Sequence, residues 1–196
     1  LAGKFDQYSR NMPYSALIQA FQDLIRQLLS EPAAQLDYWA QQLRLALGAQ
    51  AGVIALLIPE LCLIIGQCEP VAELAPLESQ NRLNRLFERF VQVFTTPEHP
   101  LVLFLDDLQW ADSATLKLIA RFMNGQGELL LIGAYRDNEV DAAHPLMTLH
   151  HLKQQAVQVL SLSPLQTAHV NELIADTLHL PREHCLDLAQ LCWQKT

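Results

Sequence analysis

Apolar residues recur at helical spacing through most of the chain and run unbroken in a few short stretches, and that contrast predicts its elements. Leu17, Phe21, Leu24, Ile25 and Leu28 follow Pro13 at intervals of three and four, giving one apolar helix face with proline fitted to the first turn. Glu31 and Pro32 end that helix. Tyr38 to Leu47 repeats the pattern and stops at Gly48. Val53 to Ile65 is nearly all apolar but carries Pro59, which predicts a buried helical hairpin or a kinked helix closed by Gly66. The acidic, proline-bearing run from Cys68 to Pro76 reads as a loop. From Glu78 to Phe94, the residues Leu83, Leu86, Phe87, Phe90, Val93 and Phe94 form one broad apolar face, and TTPEHP (95–100) breaks the helix.

Two stretches lack any polar alternation: LVLFL, Leu101 to Leu105, and LLLIGA, Leu129 to Ala134. Such runs suit strands buried on both faces of a parallel sheet covered by helices on each side. VQVLSL, Val157 to Leu162, predicts a third strand, and GKFDQ near the start reads as the end of another. Between them, Asp112 is placed to cap a helix bearing Leu116, Ile119, Ala120 and Met123, and NGQG (124–127) reads as a turn. After Pro164 the pattern is helical, with Val170, Leu173, Ile174 and Leu178 on one face, then Leu186, Leu188, Ala189 and Leu191 on another. Strands alternating with helices predict a layered α/β fold with a parallel sheet. Ligands of such sheets sit beyond the carboxyl ends of the strands.

Charge changes the picture at one place. LVLFLDD drives a hydrophobic strand directly into two like charges, Asp106 and Asp107, which calls for a partner. Arg136 falls at the carboxyl end of the next strand. Hard carboxylate oxygens beside a guanidinium suit magnesium and a phosphorylated ligand; an Asp107–Arg136 structural ion pair, with Asp112 as a helix cap, is the alternative. Elsewhere, 13 Lys and Arg against 21 Asp and Glu leave a formal charge of -8, which disfavours a nonspecific grip on nucleic acid or anionic lipid. At 196 residues and 51% hydrophobic composition, the chain has material for one sizeable core. VIALLIPELCLII (53–65) is too short to span a bilayer and contains Pro59 and Glu60, so no membrane insertion is expected. Cys62, Cys68, Cys185 and Cys192 fit neither a metal knuckle nor a redox pair, and no secretory signal opens the sequence. Reduced thiols in a cytoplasmic protein are the expectation.

The remaining polar candidates carry less. His150 and His151 with Lys153 read as a solvated helical face, His99 and His144 as turn residues, and His179, His184, Cys185 and Cys192 are too irregular for zinc. No HRD-like or DFG-like segment supports an acting protein kinase.

LVLFLDDLQWAD (101–112) resembles the Walker B segment of the signal-transduction ATPases with numerous domains, a branch of the P-loop nucleoside triphosphatases related to AAA+ proteins. The likeness extends through GKFDQYSRNMPYSALIQAFQDLIRQLL, IPEL (58–61), LLLIGAYRDNEV, HPL (144–146) and LSPL (162–165). More narrowly, the chain is similar to the ATPase module of large bacterial and fungal signalling proteins, between a serine/threonine-kinase-like domain and sensor and histidine-kinase domains. The resemblance implies a three-layer AAA+-like fold: an incomplete nucleotide-binding α/β domain over 1–162 and the beginning of a helical lid or adaptor subdomain over 163–196. It implies ATP and Mg2+ as cofactors. Asp106 would order magnesium, Asp107 would polarise the attacking water as general base, Arg136 would reach the terminal phosphate as sensor arginine, and Pro164 would lie near the adenine. Gln109 and Trp110 are assigned to shaping the loop.

The sequence departs from that pattern in having no glycine-rich run ending in Gly-Lys and Ser or Thr. Gly3 and Lys4 do not supply it, because nothing glycine-rich precedes them and Phe5 follows. In the family the P-loop lies just upstream of a GKFDQ-like segment, so the chain is expected to start after it. The P-loop strand would then be missing from between the sensor strand and the last strand, leaving both with unpaired backbone. The functional expectation is part of an ATP-binding, slowly hydrolysing regulatory switch in a multidomain signalling protein, inactive in isolation. Adjacent kinase or sensor domains are the expected partners, and a homo-oligomer is open. The alternative is a catalytically inactive ATPase-like scaffold for protein–protein or domain–domain contact.

Overall fold

A computed structural model describes residues 1–9, 12–125, 127–147, 149 and 157–195. His150, His151, Lys153 and Gln126 of the NGQG turn lie outside them. The chain divides into two compact units, Leu1–Gln155 and Ala156–Thr196.

In the first unit β1 (Ala2–Lys4), β2 (Leu101–Asp106) and β3 (Leu129–Gly133) form a parallel sheet in the order β1-β2-β3. The register pairs Lys4 with Asp106 and Leu101 with Leu129. Paired positions share a face, so Leu101, Leu103 and Leu105 lie on one side with Leu129 and Leu131, and Val102 and Phe104 on the other with Leu130 and Ile132. The first side is packed: Leu103 and Leu105 are fully buried. The second is open, from 38% exposure at Phe104 to 57% at Leu130. This corrects the expectation of strands buried on both faces in a three-layer fold, since the described residues cover only one face. An unbroken apolar run shows that a strand is fit to be covered twice; it does not say where the second cover comes from.

The helices on the packed side follow the periodicity. α1 (Ser15–Leu28) buries Leu17, Phe21, Ile25 and Leu28, and α5 (Pro76–Gln92), opened by Pro76, buries Leu86, Phe87, Phe90 and Val91. Phe21 meets Phe87 and Phe90 edge-on, with ring centroids 5.5 and 5.3 Å apart. Each fully buried large side chain contributes about 1.5–3 kcal/mol, so this aromatic cluster is a main tie between α1 and α5. Between them run α2 (Ala33–Leu47), ended by Gly48 at φ 54°, and two short helices, α3 (Ala51–Ala55) and α4 (Leu61–Ile65). Pro59 falls between α3 and α4, giving the helical hairpin. Arg26 of α1 reaches Glu60 in that turn at 2.7 Å. After β2, α6 (Ser113–Asn124) starts from Asp112, whose carboxylate accepts from the amides of Ala114 and Thr115.

The thiol expectation is also corrected in part. Gly66, at φ 86°, turns the chain after α4 so that Cys62 and Cys68 come within 5.9 Å Cα to Cα and form a disulfide, while Cys185 and Cys192 remain free. Their spacing matches no motif because the turn, not the sequence interval, creates the approach.

In the second unit, α7 (Thr167–Leu178) and α8 (Leu186–Lys195) follow a stretch without regular structure. Val157 to Leu162, expected as a strand, joins no ladder among the described residues, and Leu162 is 94% exposed. Apolar and β-branched residues make a segment competent for a sheet, but a strand exists only beside a partner backbone. Within this unit Trp193 donates to the Leu165 carbonyl at 3.0 Å, and Asn171, Ala175, Cys185 and Ala189 are buried. Leu173 and Leu178, expected on the packed face of α7, are exposed. No described helix of either unit is long and apolar enough to cross a membrane.

Candidate functional site

Asp106 is the last residue of β2, and Asp107 turns the chain out of the sheet in the left-handed conformation, φ 55°. Aspartate tolerates that region better than most residues, so the turn is compatible with its sequence. Leu108 then donates to the Ala134 carbonyl, and Ala134 to that of Leu105, both at 2.9 Å, which fixes the ends of β2 and β3 side by side. The Asp107 amide also donates to Asp106 Oδ1 at 2.9 Å.

Lys4 answers the problem of two adjacent carboxylates. In register with Asp106, it places Nζ 3.3 Å from Asp106 Oδ2 and 3.1 Å from Asp107 Oδ2. Gln109, only 1% exposed, donates from Nε2 to Asp107 Oδ1 at 2.9 Å and accepts the Arg136 amide on Oε1 at 3.3 Å. His144 holds the same turn: its Nδ1 accepts from the Leu146 amide, so Nε2 carries the proton and donates to the Gln109 carbonyl at 3.1 Å. The Arg136 guanidinium lies 3.8 Å from Asp107 Oδ1 and 3.4 Å from Glu139 Oε1.

The electrostatics follow from these contacts. The Gln109 amide, then the Lys4 ammonium, hold the Asp107 carboxyl below the ordinary carboxylate range, with Arg136 adding a smaller attraction against the cost of desolvation. Asp107 and Asp106 in turn push the Lys4 ammonium above its usual value. Asp107 is therefore ionised at neutral pH.

The structure thus brings Asp106, Asp107 and Arg136 together at the carboxyl end of the sheet. Pro164 belongs to the second unit, exposed, two residues before the Gln166 cap of α7; its expected role beside an adenine rests on the resemblance alone. Asp112 is a structural cap that also accepts the Tyr14 amide at 3.3 Å, joining α6 to the entry of α1. Three members of the cluster were not assigned to it from the sequence. From the sequence, Lys4 reads only as an incomplete phosphate-loop match, Gln109 only as a shaper of the loop, and His144 only as a turn residue. The signal for Lys4 was the unpaired charge at Asp106 and Asp107, which asked for a cation without naming it.

The donor set fits magnesium in kind. The ion takes hard oxygens and often only one or two protein carboxylates, and the Asp106 side chain is 37% exposed. The Lys4 ammonium occupies the same side of the pair, so a metal and Lys4 would compete for these oxygens. A glycine-rich phosphate cradle is not among the described residues, and the cations of this cluster are Lys4 and Arg136.

The parallel sheet with its surrounding helices is consistent with an AAA+-like α/β fold. The chain belongs to the family of AAA ATPase domains, which matches residues 1–132, and is an AAA+-like nucleotide-binding module. Over 123 residues it is 42% identical to Hybrid signal transduction histidine kinase G of Dictyostelium discoideum, a match covering 63% of this chain. The chain spans 4% of that relative's length. No solved structure gives a significant match.

Proposed function

We propose that this chain is part of a regulatory ATP switch of the signal-transduction ATPases with numerous domains, and that Asp106, Asp107 and Arg136 serve the nucleotide. The observation that carries the reading is the cluster of these three side chains at the carboxyl edge of β2 and β3. In it, Asp106 would hold magnesium, directly or through water. Asp107, kept ionised by Gln109 and Lys4, orients the attacking water; a carboxylate held this acidic is a weak proton acceptor, so positioning is its main contribution. Arg136 donates to the terminal phosphate. Bound magnesium would supply charge neutralisation for the phosphates. Lys4 stands between the two carboxylates, and magnesium held by Asp106 would have to share these oxygens with it.

The outer edge of β3, unpaired among the described residues, is where a strand carrying the phosphate loop would add. The similarity to a hybrid signal transduction histidine kinase supports a place in a multidomain signalling protein, with neighbouring kinase or sensor domains as partners. A second reading, an inactive scaffold, has one observation in its favour: Lys4 pairs with both carboxylates and Arg136 lies beside Asp107, so the cluster is coherent without a ligand.

A panel in protein that carries an upstream phosphate loop separates the two. Asp106→Asn should weaken magnesium-dependent ATP binding together with turnover. Asp107→Asn should keep affinity within a few-fold and lower turnover roughly ten-fold to several hundred-fold. The scaffold reading expects no nucleotide binding, with Asp107→Asn and Arg136→Ala each lowering the melting temperature and the double variant little lower than either. Equal loss of affinity in Asp106→Asn and Asp107→Asn, with turnover following occupancy, would remove the water-orienting role of Asp107.

A further inference from the structure

Away from the strand tips, an open cavity of about 590 Å³ lies where α5, α6 and the segment leading into α5 meet. Glu78, Asn81, Arg82 and Arg85 line it from one face of α5, at spacings of three, four and seven. Arg121 enters from α6, and Gln50 and Leu74 supply the facing wall. Three arginines thus line one space together with the carboxylate residue Glu78, in a chain whose net charge is -8.

The three arginines are held differently. Arg121 is fixed by Glu88, which accepts from Nε at 3.0 Å and from Nη2 at 2.7 Å. Arg82 donates from Nη1 to the Ala72 carbonyl at 3.0 Å, while its Nε is buried without an acceptor among the described residues. Arg85 is exposed and makes no ion pair or hydrogen bond among them. The facing segment is anchored as well. Ser79 Oγ donates to the Leu74 carbonyl at 3.1 Å, and the Glu69 carbonyl packs so closely on Gly52 that a Cβ there would come within 2.3 Å of it.

We propose that this cavity is a binding site for a small anion bearing phosphate or carboxylate groups, separate from the Asp106–Asp107 cluster. Its size lies in the range of about 300–1,000 Å³ that small-molecule sites occupy. Guanidinium forks match phosphate and carboxylate oxygens, and Arg85, exposed and without an ion pair or hydrogen bond among the described residues, is the fork free to take them. The amides of Asn81 and Gln50 add neutral hydrogen bonds, and Leu74 gives the ligand an apolar contact.

Pyrophosphate and citrate, titrated calorimetrically into the whole chain with chelator and without magnesium, test the proposal. At least one should bind saturably, and the tighter one identifies the anion class. Arg85→Ala should weaken that binding about ten-fold, the loss of one charge-assisted hydrogen bond, and Arg85→Glu should abolish it. Because Arg85 is exposed, both variants should melt with the parent. Arg136→Ala should leave the affinity within about two-fold, since a remote residue adds little. Absence of saturable binding by either probe overturns the proposal. So does binding that survives Arg85→Glu, or that is lost in Arg136→Ala instead, which would put the anion at the strand tips.

Discussion

At the scale of single residues, the carboxylates ending β2 tolerate each other because Lys4 lies between them and Gln109 donates to one. The Asp107 carboxyl is held below the ordinary carboxylate range, so what its contacts add to stability is complete above the unfolded carboxylate value and is lost as pH falls through the folded one. Lys4 depends on the same ionisation from the other side: its pKa is raised, so its contribution is intact at neutral pH and fades only on strong alkalinisation or when the aspartates protonate. Lys4→Met should therefore lower the melting temperature most near pH 7, where it leaves two carboxylates facing each other. The gap to the parent should shrink as pH is taken below about 4, the carboxylate range. Thermal melts of both proteins from pH 7 to pH 3 measure this, and a gap independent of pH would mean that Lys4 acts by packing rather than charge. The need for a cation here was legible in the sequence, and so was the cap at Asp112, because both are local. Lys4 itself was not: it stands 102 positions before Asp106, and only the parallel register brings them together.

Elements were legible to the extent that their signals are periodic or carry proline and glycine. The apolar faces of α1 and α5 recur at three and four, and Gly48 and Gly66 end their helices at positive φ. Val157 to Leu162 misled because strand composition says nothing about whether a neighbour exists. Close approach between elements was equally hidden. Gly3 lies under α1 so tightly that a Cβ would stand 2.4 Å from the Ala16 carbonyl, a backbone atom that cannot swing aside. Gly3→Ala should push α1 off β1 and cost about 1–3 kcal/mol, the usual range for overpacking. It should also displace Lys4, the next residue, from the two aspartates. Chemical denaturation would give the first effect. The second predicts that Gly3→Ala reproduces part of the pH-dependent loss of Lys4→Met, whereas Gly48→Ala, where a Cβ meets nothing within 4 Å but φ is 54°, should cost stability without it.

For the whole molecule, the sheet carries an open edge and an open face among the described residues, and the consequences are measurable. β2 is flanked on both sides, while β3 has a partner on one side only among the described residues. Leu130 and Ile132 on β3 are exposed along with Val102 and Phe104 on β2, so one sheet face is open to water as well. Exposed backbone hydrogen bonds and sparse apolar cover mark regions that open at low free energy. Amide exchange in the whole chain should therefore rank the segments: slowest in Leu103 to Leu105, faster across Leu129 to Gly133, and near the unstructured rate in Val157 to Leu162. An apolar dye should bind the native protein through the open face, and adding an upstream segment that carries a phosphate-loop strand should suppress that signal while slowing exchange in β3. Protection in β3 equal to that in β2, without any added segment, would show that the edge is already closed and would remove the structural support for a strand inserted beside it. Protection that rises in β3 alone, with dye binding unchanged, would assign the added segment to the edge and leave the face of Val102, Phe104, Leu130 and Ile132 to some other cover.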